Sequence, residues 1–208
     1  HTGALLASGG GDWNTEINAA PSAVNLLGDN RLELVSGRYI YTVTGSPVSG
    51  LTIAADMNTL GGDQWFPKVF NDVFEYGITN FSSTSVADFD DDGNIDVFMS
   101  GALGSTSGPT AVFYWNVAKG TVSSFLPTHP DTGTGANKVS YPNGWPWGTG
   151  RVNLGELDGD GILEANFIAG NQLYALEEGA GGSLVQLWAG PKTLNDFRSG
   201  VVSTTVYD

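Results

Sequence analysis

The amino-acid sequence predicts an all-β chain, a β-propeller of four-stranded antiparallel blades, and three observations support this. Short runs of β-branched and aromatic residues are bounded by Gly, Asn and Ser, which is a strand signal. A pattern of apolar strand, acidic turn, apolar strand and a small residue followed by Gly occurs three times. No segment has sustained helical periodicity, and only 69–76 allows a helical turn. Four-stranded units that repeat every ~40–70 residues are typical of propeller blades around a central channel.

The three copies of the pattern occupy residues 24–37, 85–101 and 153–170. In each copy a short strand precedes the acidic turn, and three strand-like runs follow it, so each unit is expected to contain four strands. The runs after the turn are predicted at 32–36, 38–44 and 51–55 in the first unit, at 95–100, 110–117 and 121–126 in the second, and at 163–169, 172–177 and 184–188 in the third.

The repeat predicts that the chain forms a single, partial propeller of about three blades. Propellers usually close with about 4–8 blades, and an unclosed ring would expose the edges of its terminal strands. We therefore expect this chain to be a fragment of a larger ring. The predicted units are the tail of a preceding blade at 1–20, a degenerate blade at 21–80, two blades with intact acidic loops at 81–147 and 148–200, and the start of the next blade at 201–208.

Composition excludes several classes of function. The chain carries 8 Lys and Arg against 22 Asp and Glu, a formal net charge of −14, which argues against nucleic acid or an anionic membrane as a partner. It contains no Cys, which excludes disulfides, thiolate metal sites and a thiol nucleophile. No apolar run approaches the ~20 residues of a membrane-spanning helix, so no membrane insertion is expected. Apolar residues make up 40% of the chain, enough for a buried core.

The acidic loop of the second copy, 88–96, has the spacing of a metal site. Carboxylates at alternate positions of a tight turn can point to one centre, and a Gly allows the positive φ that closes the turn. Together with a backbone carbonyl they supply the hard oxygen ligands that Ca²⁺ prefers, whereas Mg²⁺ suits this set poorly. The predicted ligands are Asp88, Asp90, Asp92 and Asp96 at positions 1, 3, 5 and 9 and the carbonyl of Asn94 at position 7, with Gly93 at position 6.

The third copy repeats this spacing in the loop 156–164, which makes the signal stronger than that of an isolated acidic turn. An EF-hand is excluded, because position 12 would require a bidentate Glu and these loops have Met99 and Phe167 there. The predicted ligands are Glu156, Asp158, Asp160 and Glu164, with the carbonyl of Ile162 at position 7 and Gly161 at position 6.

The first copy has lost the pattern. Its loop, 25–33, begins with Asn25 and ends with Glu33, but Leu27 stands at position 3 and Asn30 replaces the glycine. An apolar side chain at position 3 removes one ligand, so we expect no tightly held ion in this loop and two calcium sites in the chain.

These motifs resemble the FG-GAP (VCBS-like) repeats of integrin α-subunit propellers and of many bacterial secreted and surface proteins. The resemblance is carried by DFDDDGNID with MSG, by ELDGDGILE with IAG, and by the eroded GDNRLE with VSG. It implies that each loop joins the first two strands of a blade and holds Ca²⁺, and that the blades close into a propeller, commonly of seven. It also implies a protein that is secreted or displayed at the cell surface, in a bacterium.

The expected function is that of a calcium-stabilised recognition, adhesion or structural module without catalysis of its own. Its expected partners are a protein or glycan at the surface, together with the remaining blades or neighbouring subunits. Millimolar extracellular Ca²⁺ would saturate even sites with Kd of ~10⁻⁴ M.

Two alternatives remain open at this point. The chain could be the accessory or catalytic propeller of a carbohydrate-active enzyme, such as a polysaccharide lyase or a glycosidase, or a subunit of a surface filament or secretion assembly. Tyr141, Trp145 and Trp147 could stack on sugar rings, or they could instead wedge between adjacent blades. Paired carboxylates for glycoside chemistry are available, but the most evident acids lie in the metal loops. We therefore assign no catalytic residue.

Overall fold

The structure of the chain is a computed structural model that describes residues 21–36, 39–45, 49–57, 83–102, 110–125, 152–169 and 172–190. These residues form twelve strands in three four-stranded antiparallel sheets, and they contain no α-helix. The predicted all-β class and the four-stranded antiparallel units are thereby confirmed. The helical turn predicted at 69–76 lies outside the described residues. Within the described part of the chain, no helix has the length and apolar character needed to cross a membrane.

Within each sheet the spatial order of the four strands follows their order in the sequence, so each strand pairs with the strands that precede and follow it. Sheet I contains β1 (Ser22–Val24), β2 (Glu33–Ser36), β3 (Tyr39–Thr44) and β4 (Gly50–Asp56). Sheet II contains β5 (Ser83–Ala87), β6 (Asp96–Ala102), β7 (Thr110–Asn116) and β8 (Thr121–Phe125). Sheet III contains β9 (Asn153–Gly155), β10 (Glu164–Ala169), β11 (Gln172–Gly179) and β12 (Ser183–Ala189).

The predicted strands agree with the observed ones to within two residues at every end. β11 continues to Gly179, two residues beyond the prediction, because the turn that ends it begins at Ala180 and uses Gly181 and Gly182 at positive φ. Two irregularities interrupt the pairing, one in β3 between Ile40 and Tyr41 and one in β11 between Ala175 and Leu176. The boundaries of the units, and the flanking pieces at 1–20 and 201–208, stay predictions.

The first hairpin of every sheet has the same register. In each case the ninth residue of the acidic loop pairs across the hairpin with the residue that immediately precedes the loop. The ends of the loop therefore pair in the same register in all three hairpins, and equivalent loop positions can be compared directly. The pairs are Val24 with Glu33, Ala87 with Asp96 and Gly155 with Glu164.

Two apolar layers hold the sheets together, and sheet II contributes to both. Side chains alternate between the two faces of a strand, so the continuous apolar run of β7 supplies both layers. The first layer joins sheets I and II through Leu26, Val35, Ile40, Met57, Val97, Met99, Phe113 and Trp115. The second joins sheets II and III through Phe89, Phe98, Val112, Tyr114, Val152, Ala165, Phe167, Tyr174 and Leu176.

The sheets also meet at their first strands, since β5 contacts both β1 and β9. Two side-chain hydrogen bonds connect sheet II to sheet III. Ser85 Oγ donates to the carbonyl of Val152, and Ser123 Oγ donates to the carbonyl of Gly182. As a result the first hairpins of adjacent sheets, which carry the acidic loops, lie next to each other.

Candidate metal centre

The loops 25–33, 88–96 and 156–164, called the first, second and third loop below, share one backbone conformation. Positions 4 and 6 have positive φ in all three, although the sequence predicted this for position 6 only. A glycine at position 4 in two of the three copies was the available signal. Asn and Asp, which enter the left-handed region more readily than other side chains, fill the remaining positions. The angles are 71° at Gly28 and 63° at Asn30, 53° at Asp91 and 85° at Gly93, and 87° at Gly159 and 89° at Gly161.

The second loop brings three of its predicted ligands together. Asp88, Asp90 and Asp92 each offer a carboxylate oxygen, and these oxygens lie within 4.8 Å of one another. Backbone N–H groups of the loop orient them: Asp88 accepts hydrogen bonds from the amides of Asp92 at 3.0 Å and Gly93 at 2.9 Å. Asp92 in turn accepts from the amide of Asn94 at 2.9 Å. The loop therefore holds three negative side chains at one point.

Asp96, the fourth predicted ligand, lies in β6 and is 0% exposed. Its Oδ2 accepts hydrogen bonds from the amide of Phe89 at 3.1 Å and from the hydroxyl of Tyr114 at 3.3 Å. Its Oδ1 is buried and receives no hydrogen bond from the described residues. Burial, together with the charges of Asp90 and Asp92, raises the pKa of Asp96 to about 7. A buried acceptor without a donor is unfavourable, and a cation next to it would remove that penalty.

The third loop repeats this arrangement. Glu156, Asp158 and Asp160 offer oxygens that lie within 4.8 Å of one another. Asp160 accepts a hydrogen bond from the amide of Ile162 at 2.8 Å, as Asp92 does from Asn94.

Glu164 occupies in the third loop the place of Asp96 in the second, and it is also 0% exposed. Its Oε2 accepts a hydrogen bond from the amide of Leu157 at 2.5 Å, and its Oε1 is buried without a hydrogen-bond donor among the described residues. Burial and the charges of Asp158 and Asp160 raise the pKa of Glu164.

The first loop keeps the hydrogen bonds and lacks the acidic cluster. Glu33 accepts from the amides of Leu26 at 2.8 Å and Leu27 at 3.2 Å, and Asp29 accepts from the amide of Arg31 at 3.0 Å. Leu27, at position 3, is 44% exposed and offers no ligand oxygen. The turn therefore forms without a carboxylate at position 3, and the acids of the other two loops exceed what the turn requires.

One basic residue lies against the second loop and was not predicted. Lys119, in the turn between β7 and β8, forms ion pairs with Asp90 Oδ2 and, at 3.4 Å, with Asp92 Oδ2. Asn116, at the end of β7, donates from Nδ2 to the same oxygen of Asp90 at 2.8 Å. The hydrogen bond and charge of Asp90 raise the pKa of Lys119. The available signal in the sequence was that Lys119 is the only Lys or Arg between Lys68 and Lys138.

The chemistry of the two acidic loops fits a hard divalent cation. Every side-chain oxygen that converges in the two loops belongs to a carboxylate, and the predicted ligands at position 7 are the backbone carbonyls of Asn94 and Ile162. Ca²⁺ takes 6–8 such oxygens at roughly 2.3–2.6 Å in flexible geometry, whereas Mg²⁺ requires a near-ideal octahedron. The buried oxygens of Asp96 and Glu164 without a hydrogen-bond donor among the described residues favour an ion over a purely structural acidic turn, but neither residue belongs to the two groups whose oxygens converge within 4.8 Å.

Tyr141, Trp145 and Trp147, the residues on which a glycan site would depend, lie outside the described residues. Asp91, which the metal pattern does not use, is exposed. Comparison of the chain with models of protein families, with curated proteins and with solved structures finds no match.

Proposed function

We propose that this chain is part of a calcium-binding β-propeller in which the second and third loops each hold one Ca²⁺. The observation that carries the proposal occurs twice: three carboxylates converge within 4.8 Å, and a fourth, buried carboxylate at position 9 keeps one oxygen without a hydrogen-bond donor among the described residues. The ligands would be the carboxylates at positions 1, 3, 5 and 9 with the carbonyl at position 7.

Electrostatics supports an ion at these points. Three carboxylates whose oxygens lie within 4.8 Å of one another repel each other, and this repulsion opposes the fold. A bound Ca²⁺ reverses the sign of this term, because each carboxylate then faces a charge of opposite sign. The ion would thus fix the hairpin that joins the first two strands of sheets II and III.

The first loop serves as an internal comparison. It adopts positive φ at the same two positions and anchors Glu33 to the backbone in the same way, with a leucine at position 3. Turn formation alone therefore does not account for the carboxylates of Asp90 and Asp158. A calcium ion bound in each of these two loops would explain why a carboxylate occurs at position 3 of both, beside a buried acid.

The arrangement of the sheets supports the propeller part of the proposal. Three four-stranded sheets follow one another, each layer between them is apolar, and β5 contacts the first strand of both neighbouring sheets. Blades around a channel have their first strands innermost and adjacent. The resemblance of the loops to FG-GAP repeats implies the same plan.

As a calcium-stabilised module of this kind, the chain would act outside the cell in recognition, adhesion or assembly. Extracellular Ca²⁺ is concentrated enough to fill sites with Kd of ~10⁻⁴ M. We assign it no catalytic step, because the acids that converge in the described residues are used as ligands.

The proposal is tested by titrating the 208-residue chain, stripped with EGTA, with CaCl₂ in a calorimeter. Two ions are expected to bind per chain, and the melting temperature is expected to rise with Ca²⁺ and to fall again with excess EGTA. MgCl₂ at the same concentration is expected to have a much smaller effect. An unchanged melting temperature and no heat of binding at millimolar Ca²⁺ would reject calcium as the ligand.

A further inference from the structure

We propose that Lys119 is an internal counter-cation of the second loop, and that its ammonium group is exchanged for Ca²⁺ when the ion binds. The inference rests on the proposed function of this loop as a calcium site. Its consequence is that Lys119 lowers the calcium affinity of the second loop below what the carboxylates alone would provide.

The ammonium group lies where a cation of the loop would lie. Lys119 Nζ contacts Asp90 Oδ2 and is 3.4 Å from Asp92 Oδ2, so it bridges positions 3 and 5 of the loop. These two carboxylates belong to the group whose oxygens converge within 4.8 Å. An ammonium group paired with these two carboxylates and a calcium ion bound among them repel each other, so each disfavours the other.

The backbone of the β7–β8 turn is fixed in front of the loop. The amide of Lys119 donates to Asn116 Oδ1 at 2.8 Å, and the amide of Gly120 donates to the carbonyl of Val117 at 3.3 Å. Asn116 also donates to Asp90 Oδ2 at 2.8 Å, which ties the turn to the acidic loop. Lys119 is thus held by its backbone within reach of the carboxylates, and only its side chain has to move for the exchange.

The exchange requires little rearrangement. The side chain of Lys119 is 53% exposed, whereas that of Asp90 is 3% exposed, so the lysine can rotate into water while the aspartate stays in place. Because the lysine end of the ion pair is exposed to water, the pair holds the Lys119 side chain only weakly. A divalent ion with several oxygen ligands outcompetes it at millimolar concentration, but with a reduced apparent affinity.

The third loop has no corresponding competitor in its own sheet, since the β11–β12 turn consists of Ala180, Gly181 and Gly182.

The affinity test uses the full chain with Asp158→Asn and Asp160→Asn, which silence the third loop so that calorimetry reports the second alone. Adding Lys119→Met is expected to tighten calcium binding three- to tenfold, because it removes both the competing cation and one repulsive charge. Arg31→Met is the matched control: it changes the net charge equally, but in the first loop, and is expected to leave the affinity unchanged within about twofold. Equal or weaker binding in the Lys119→Met protein overturns the inference.

A second measurement uses the unaltered chain and does not depend on any variant folding. Lysines are acetylated with an amine-reactive ester in EGTA and in saturating Ca²⁺, and the rate at each site is read by mass spectrometry. The rate at Lys119 is expected to rise several-fold with Ca²⁺, relative to Lys68, Lys138 and Lys192 in the same sample. Heat of calcium binding without a rise at Lys119 overturns the inference alone. Absence of any calcium binding overturns the proposed function as well.

Discussion

Substitution of the carboxylate at position 5 of each loop can distinguish the structural role of the acids from their proposed role as calcium ligands. Asp29, Asp92 and Asp160 each accept a hydrogen bond from the amide two residues later, at 3.0, 2.9 and 2.8 Å. Asparagine offers the same acceptor oxygen without the charge, so substitution keeps the turn and removes the charge of a proposed calcium ligand. We predict that Asp92→Asn and Asp160→Asn lose calcium-dependent stability, and that Asp29→Asn does not.

The magnitude follows from linkage. A site with Kd of ~10⁻⁴ M stabilises the fold by about 1.8 kcal/mol in about 2 mM Ca²⁺. If losing one charged ligand weakens binding about thirtyfold, about 0.3 kcal/mol remains, a loss of about 1.5 kcal/mol. For a chain of this length that corresponds to a decrease of about 3–6 °C in melting temperature.

The assay is thermal unfolding followed by circular dichroism, for the unaltered chain and the three variants, in 2 mM CaCl₂ and in 2 mM EGTA. In EGTA, Asp29→Asn is expected to melt close to the unaltered chain, and Asp92→Asn and Asp160→Asn at the same or a higher temperature, because the turn hydrogen bonds are kept and one repulsive charge is removed. The reasoning is refuted if Asp29→Asn loses as much in Ca²⁺ as the other two, or if the losses persist undiminished in EGTA.

Three further predictions address the loop backbone, pH and the core. Gly93→Ala is expected to destabilise the fold by roughly 1–2 kcal/mol in urea unfolding, since a Cβ there meets no atom within 4 Å and only the positive φ of 85° opposes it; an unchanged midpoint would show that the loop does not hold this conformation. Because the pKa of Asp96 is raised to about 7 from 3.8, the calcium-free fold binds more protons than the unfolded chain between these values. Its stability in EGTA should therefore fall from pH 4 to pH 7 and calcium should bind more weakly below pH 7, whereas Asp96→Asn should show a smaller slope; equal slopes in the two proteins would rule the assignment out. Trp115→Ala removes the largest fully buried side chain of the first apolar layer and should lower the free energy of unfolding by about 3–5 kcal/mol in the same urea assay. A decrease below about 1 kcal/mol would contradict the place of Trp115 in the core.

Much of the fold could be predicted because its signals are local. A strand pattern between Gly, Asn and Ser turns depends on neighbours in sequence, and the hairpin at Ala180–Gly182 could be read from its glycines alone. The faces of β7 could not be assigned in the same way. Its residues are apolar on both sides, and only contact with sheets I and III shows that Trp115 packs in the first layer and Tyr114 in the second.

The two acidic clusters could be predicted from the sequence, but their surroundings could not. Spacing within nine residues identifies Asp88, Asp90 and Asp92, because they converge within one turn. The contact of Lys119 with Asp90 joins residues 29 apart and exists only once β7 and β8 have paired beside the loop. The burial of Asp96 likewise depends on packing of the whole sheet, so its oxygen without a donor could not be inferred from the loop sequence.

In the proposed function, the second and third loops each hold one calcium ion and the first holds none. A crystal structure of the chain grown in CaCl₂, with anomalous data collected at long wavelength, would locate the ions directly. We predict two anomalous peaks, one within about 2.3–2.6 Å of oxygens from Asp88, Asp90, Asp92 and Asp96, and one equally close to Glu156, Asp158, Asp160 and Glu164. Electron density for both loops without an anomalous peak at either acidic cluster, or an anomalous peak at Asn25–Glu33 instead, would contradict the proposed calcium sites.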